Sequence, residues 1–149
     1  MKRTTNIFDK IGTLIPGYRG YQEREGRREC DRQLRELIAD KLSEIEKKVS
    51  AHINNAELSE LAVIEKNRKK INNLKDLIKY SPYGASAFFS DSTIKESELE
   101  VIYQMDLDVL DTVEKLETDI ETNNLSDFKA SIQKTEDSIN KRNQYLKDR

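Results

Sequence analysis

Apolar residues recur at intervals of three and four in four separate runs of this 149-residue chain, and that period admits little except amphipathic helix. The first run is Ile38, Leu42, Ile45, Val49 and Ile53, with Lys, Glu and Ser between them. The second is Leu58, Leu61, Ile64, Ile71, Leu74 and Ile78, with Arg68 in phase where an apolar side chain is expected. The third is Leu99, Ile102, Val109, Val113, Leu116 and Ile120, with Asp106 in phase, and the fourth is Leu125, Phe128, Ile132, Ile139 and Leu146. Each stripe is narrow, so each helix can bury one face only. Short connections near 54–57 and 122–125 reverse the chain, and the pattern predicts an all-α, antiparallel four-helix bundle. Five Gly and two Pro are too few turn formers for a sandwich or barrel.

The punctuation sets the expected boundaries. Pro16, Gly17 and Gly20 precede the first helix, which is expected from near Tyr21 to Asn54-Asn55 and to be roughly 50 Å long. The sequence thus divides into a short N-terminal amphipathic arm with a Pro/Gly linker, residues 1–20, and a single helical domain, 21–149. Pro82 and Gly84 argue for a loop between Tyr80 and Ser90, because an interior Pro costs about 3 kcal/mol in a helix. Ala85 and Phe88 or Phe89 nevertheless keep the phase of Ile78, and a helix stopping at Tyr80 would leave the first third of helix 1 uncovered. The expectation is therefore a kinked second helix that bends near Pro82 and continues to about Phe89. Thr93 to Glu96 and Ser97 to Glu100 have capping-box spacing, so the third helix should begin between them. Asn123-Asn124 is the expected stop before the fourth, with Ser126 as its N-cap.

The charges are nearly balanced, 26 Lys plus Arg against 28 Asp plus Glu, which does not suit a globally basic nucleic-acid-binding protein. Locally they are not balanced. Residues 1–35 hold nine basic and five acidic side chains, and 65–79 hold six and two, whereas 91–121 hold eleven acidic residues with only Lys95 and Lys115 as bases. Segments of opposite bias attract when packed side by side. Extending the helix 1 seam backwards from Ile38 in steps of three and four gives Arg35, Asp31, Arg28 and Arg24, so the buried stripe turns charged. If helices 1 and 2 reverse near residue 55, Asp31 falls opposite Tyr80. If helices 2 and 3 reverse near residue 93, Asp106 falls opposite Tyr80 as well. The expected layer holds Arg28, Asp31, Arg35, Tyr80, Tyr83, Tyr103 and Asp106, at the end of the bundle where Pro16 to Tyr21 also lies.

Ionised groups inside a bundle are costly unless paired, so Arg28 or Arg35 is expected to meet Asp106 or Asp31. One reading of the layer is a structural ion-pair network of Arg28, Asp31 and Asp106 that sets helix register. In a second register, with 82–93 as a loop, Asp106 pairs with Arg68. The other reading is a ligand or anion site built from Arg24, Arg28, Arg35, Tyr80, Tyr83, Tyr103 and Asp106, since Arg recognises carboxylate or phosphate through two donors and Tyr supplies an amphipathic wall.

Motifs that carry catalysis are not found. His52, the single histidine, has Val49 rather than Glu three residues before it, so the Glu-x-x-His pairs of di-metal bundles are missing. There is no Gly-rich phosphate loop, nucleophile elbow or Cys/His pair, and neither metal nor cofactor is implied. One cysteine, Cys30, excludes an intramolecular disulfide and suits a reducing, cytoplasmic setting. Asp9 and Lys10 interrupt the apolar N-terminal stretch, which therefore does not read as a secretory signal. In that stretch Ile7, Phe8, Ile11, Leu14 and Ile15 share one face of a short helix. Such a helix is marginal alone in water, so it should dock on its own chain, on a partner or, with Lys2, Arg3 and Lys10, on an anionic membrane surface.

The string Ile15-Pro-Gly-Tyr-Arg-Gly-Tyr21, followed by Glu25, Arg27-Arg28-Glu29 and Asp31, resembles the start of a set of small bacterial all-helical proteins, as do Tyr80 to Asp91 and Glu100 to Asp106. The resemblance spans most of the chain. It implies a helical bundle and carries no established activity, so no catalytic residue follows from it. The sequence therefore leads to three expectations. The first is a non-enzymatic interaction or scaffold module with a protein partner or self-association. The second is an anion-binding protein using the Arg/Tyr/Asp layer, and the third is peripheral membrane association through residues 1–15.

Overall fold

The computed structural model describes residues 2–148, with side chains from residue 8 onward. Among these residues it is all-helical. Helix α1 spans Lys2–Leu14, α2 Arg27–Ile53, α3 Leu58–Lys79, α4 Ala85–Ser90, α5 Glu96–Glu121 and α6 Leu125–Lys147, with a 3-10 turn over Arg24–Gly26. Of the apolar face expected on the arm, the Ile7 side chain lies outside the described residues, as do those of Lys2 and Arg3.

Two hairpins make the body of the fold. Helix α2 reverses into α3 through a short turn at 54–57, and the pair is held side by side by Glu46, which pairs with both Arg68 and Lys75. Helix α5 reverses into α6 at 122–124, where Asn123 takes a left-handed φ of 57° that a helix cannot continue. The cap of α6 is Asn124, not Ser126. Its side-chain oxygen accepts from the Asp127 N–H at 3.2 Å while its amide donates to the Asp127 carboxylate at 2.8 Å, which leaves Ser126 inside the helix. Helix α5 begins within the expected window, at Glu96. Its N-cap, Lys95, makes no side-chain cap, and the Asp91 carboxylate instead receives both the N–H and the hydroxyl of Thr93.

The hairpins stack in a way the sequence reading did not anticipate. Helices α3 and α5, expected to be antiparallel neighbours, are not packed side by side among the described residues; α2 packs on α5 and α3 packs on α6. Lys48 reaches Glu121 at 2.7 Å near the far ends of α2 and α5, while Arg27 donates to the Asp91 carbonyl near their starts, so these two helices run in the same direction. Asn143 meets the Leu77 carbonyl near the ends of α3 and α6, which therefore also run together.

The connection from 80 to 95 explains this. Helix α3 stops at Lys79, Tyr80 is extended, Gly84 takes φ 93°, and the chain restarts as the separate helix α4 instead of bending through Pro82 as one kinked helix. Pro82 has no N–H to donate back, and the left-handed Gly84 stands just ahead of α4 as its N-cap, so the backbone between Lys79 and Ala85 is not helical. The in-phase residues are still buried: Ala85, Phe88 and Phe89 cover the end of the hairpins, where α4 packs against α2, α6 and the 3-10 turn. Helix α2 starts at Arg27 rather than Tyr21, which makes it about 40 Å long at ~1.5 Å per residue, so less of its length needs covering.

The core follows the middles of the four stripes, while Ile53, Leu61 and Leu125 at their ends are only half-buried. Leu58, the first residue of α3, is 88% exposed, and Arg68 lies at the edge with Glu65 and Glu46 while Asn67 takes the inward position. Helix α1 lies outside the hairpins on α5, where Ile11 and Ile15 are buried, Phe8 packs against the Tyr18 ring and Lys10 pairs with Asp111 at 2.7 Å.

Candidate functional site

The polar centre of the fold is a guanidinium with no exposed surface. Arg142 of α6 is 0% exposed and lies between α5 and α2. Its Nε donates to Asp106 Oδ1 at 2.6 Å and an Nη donates to Asp31 Oδ1, also at 2.6 Å, so one fork spans two carboxylates on two helices. The second oxygen of each carboxylate is occupied too. The Tyr21 hydroxyl donates to Asp106 Oδ2 at 2.6 Å, and Arg35 Nε donates to Asp31 Oδ2 at 2.9 Å. Arg35 ties this layer to the end of α3 by donating to the Lys79 carbonyl at 2.6 Å. Among the described residues, the other terminal nitrogen of Arg142 has no hydrogen-bond partner.

Tyr21 gets there by an unusual backbone path. The segment after α1 turns at Gly17 and Gly20, both at φ 76°, and carries Tyr21 inward between Phe89 and Tyr103. Gly20 is required for two reasons. Its left-handed conformation is strained for any side chain, and a methyl group there would collide with the Tyr103 hydroxyl and the Phe8 ring. The Tyr103 hydroxyl accepts from the Tyr21 N–H at 2.5 Å, and Arg27 donates to the Tyr21 carbonyl at 2.7 Å. The backbone of this loop is thus satisfied by side chains rather than by a helix or sheet.

Electrostatics follow from the burial. Loss of solvent pushes the Asp106 carboxyl up to about 6, against the pull of Arg142 and the Tyr21 hydroxyl. Desolvation opposes the Arg142 charge, but Asp106, Tyr21 and Asp31 surround it and hold its proton more tightly than in water. Burial raises the Cys30 thiol and the Tyr103 hydroxyl to about 12 each, and drives the hydroxyls of Tyr18 and Tyr21 further upward. Near neutral pH this thiol and these hydroxyls therefore keep their protons, while Asp106 titrates close to that range.

Of the residues singled out from sequence, Asp31, Arg35, Tyr103 and Asp106 come together in this layer. Arg24 and Arg28 do not enter it; they bind the carbonyl and the hydroxyl of Ser90 at the surface, where they hold α4 to the start of α2. Tyr80 and Tyr83 are 66% and 94% exposed, because the chain leaves α3 before the position opposite Asp31. Arg68 pairs with Glu65 and Glu46 and is not a partner of Asp106. Sequence reading missed Arg142, Tyr21 and Arg27. A signal for the first was present: Ile132, Thr135, Ile139, Arg142 and Leu146 alternate steps of three and four, and both polar members of that series are fully buried.

A second polar contact lies deeper along α5. Asp119 is buried, receives the Ser131 hydroxyl at 2.6 Å and pairs with Lys115 at 2.5 Å. Surface grooves lie elsewhere. One of about 440 Å³ between α5 and α6 is flanked by Asp108, Asp111, Lys134, Asp137 and Lys141, none of them in the Arg142 layer. Among the described residues, no three His, Cys, Asp or Glu side chains converge where they could hold a metal ion, and no helix is long and apolar enough to cross a membrane. No protein-family model, curated protein or solved structure matches this chain.

Proposed function

We propose that this chain is a non-enzymatic interaction module of the cytoplasm, in which the four long helices act as one bundle and present a recognition surface to a protein partner. The observation that carries this reading is the closure of the Arg142 layer. Both oxygens of Asp31 and of Asp106 are engaged by protein donors, and Arg142 has no surface to offer a ligand. A guanidinium already shared by two carboxylates gains little from an external anion that would first have to displace one of them. The layer serves to fix the end of the fold that carries the loop Tyr80-Ser-Pro-Tyr-Gly84. Tyrosines contribute disproportionately to protein interfaces because a rigid ring with a polar tip gives much contact area for little lost entropy.

Two measurements test this. Quantitative affinity capture with the full chain and with the Tyr80→Ser/Tyr83→Ser variant should return partners that the variant loses while its melting temperature and scattering mass stay unchanged; equal capture by both would overturn the reading. A thermal-shift screen against phosphate and small carboxylates should give no stabilisation. A shift that disappears in Arg35→Ala but persists in Lys129→Ala would establish the anion-binding alternative instead.

A further inference from the structure

Helix α1 is tied to the rest of the molecule differently from every other helix. Among the described residues α5 is the one helix it packs on, with Ile11 and Ile15 buried, while Phe8 rests on the Tyr18 ring; further along, Tyr21 is anchored by the Tyr103 hydroxyl and Asp106. Between the two stands Pro16-Gly17. Gly17 lies at φ 76° in a turn closed by the Tyr18 N–H, which donates to the Ile15 carbonyl at 3.2 Å; release of α1 would pivot on this turn, and the Tyr21 hydrogen bonds lie beyond it. The polar edge of the contact is ionic: Lys10 meets Asp111 at 2.7 Å and Glu114 at 3.8 Å, on a helix whose next turns carry Glu117 and Glu121. Leu14 is exposed even in the docked state and lines, with Lys10, Leu110 and Glu114, a groove of about 370 Å³ beside α1.

These features describe a basic amphipathic helix resting on an acidic one. Residues 2–15 join five apolar residues, Ile7, Phe8, Ile11, Leu14 and Ile15, with the bases Lys2, Arg3 and Lys10 and the single acid Asp9. A short helix with an apolar face and basic residues lies in the interface of an anionic bilayer, where headgroup phosphates receive the bases and acyl chains the apolar face. We propose that α1 is a masked membrane-surface anchor: α5, through Asp111 and Glu114, holds it closed in the free protein, and an anionic bilayer competes for the same apolar face and the same lysine. The Arg142 layer stays shut in both states because Tyr21 lies on the far side of the pivot. Weakening the α1–α5 contact must then strengthen binding to lipid, since the two equilibria draw on one surface.

The test uses the full chain and vesicles of phosphatidylcholine with one-third phosphatidylglycerol, at low salt. Asp111→Asn/Glu114→Gln removes the charges that hold Lys10 without adding a base. It should bind these vesicles about tenfold more tightly than the parent chain in co-sedimentation. Glu57→Gln/Glu60→Gln makes the same change in net charge at the far end of α3 and should bind like the parent. Adding Ile11→Ser to the first variant should abolish the gain, and vesicles of phosphatidylcholine alone should capture none of the proteins. Because the chain has no Trp, Phe8→Trp supplies an independent signal, a blue-shifted emission on adding anionic vesicles. No gain in Asp111→Asn/Glu114→Gln, an equal gain in Glu57→Gln/Glu60→Gln, or equal binding to uncharged vesicles would each overturn the proposal. A doubled scattering mass of the first variant without lipid would overturn it too, in favour of a second copy of the chain as the occupant.

Discussion

Arg142 joins two carboxylates through different nitrogens, and that bridging makes it costly to lose. Arg142→Met leaves Asp31 with Arg35 alone and Asp106 with only a hydroxyl, in a region with no solvent to compensate. Removing one partner of a buried ionic contact costs about 3–5 kcal/mol, and urea denaturation should show a loss of that size. The triple variant Asp31→Asn/Asp106→Asn/Arg142→Met should recover part of it, because its remaining amides are cheaper to bury than charges. Glycine positions offer a sharper residue-scale contrast. Gly20→Ala must strain a left-handed backbone and push aside the Tyr103 hydroxyl and the Phe8 ring, and should cost about 2 kcal/mol or more. Gly12→Ala, inside α1 with nothing within 4 Å, should stabilise by up to about 1 kcal/mol. Thermal melts of the two variants should therefore move in opposite directions. Asp106 could be selected from the sequence because it interrupts an apolar stripe, and Asp31 because it lies in phase where the first stripe is extended backwards. Arg142 interrupts one as well, but in the last stretch of the chain, where a seven-residue gap between Ile139 and Leu146 conceals it.

Elements are where local sequence speaks most directly, and their ends depend on single side chains. Asn124 caps α6 through a reciprocal exchange with Asp127, so Asn124→Ala should cost about 1 kcal/mol and Ser126→Ala only a few tenths, measurable as separate shifts in denaturation midpoint. The sequence reading has Asn123-Asn124 as the stop and Ser126 as the cap. What favours Asn124 is that Asn123 has already turned left-handed and ended α5, which puts the next residue at the head of α6. The α3–α4 break follows the same logic. Pro82 and Gly84 were visible as breakers, and the helical phase of Ala85, Phe88 and Phe89 was equally real. The two signals belong to different helices, whose apolar faces meet at one end of the hairpins. Periodicity reports which residues are buried without reporting whether the backbone between them is continuous.

The whole molecule is where pH acts, because Asp106 and the surface carboxylates respond in opposite senses. Its carboxyl is raised to about 6 in the folded chain, so the stability it contributes is fully present below the ordinary Asp value and is lost as pH rises through about 6. Glu29, Glu65 and Asp91 are lowered by bonds from Arg32, Arg68 and Thr93, so their contributions are present above the ordinary carboxylate values and are lost as pH falls through their folded values. The chain should therefore melt at a higher temperature near pH 5 than near pH 7 and lose stability below about pH 4. Asp106→Asn should remove the rise between pH 7 and pH 5 while leaving the acid limb in place, which a series of calorimetric scans would show. The stacking of the hairpins is the other property of this scale. Four stripes separated by short turns determined, from the sequence alone, that this chain is helical, where its apolar faces lie and that α2–α3 and α5–α6 are hairpins, since period and turn chemistry are local quantities. Only the tertiary structure decided that α2 runs alongside α5 and that Arg142, rather than Arg28, closes the charged layer. It also decided that Tyr21 is inside and Tyr80 outside. Those outcomes depend on how a sixteen-residue connection crosses the end of two hairpins, and residues brought together across that connection are distant in sequence and share no local signal.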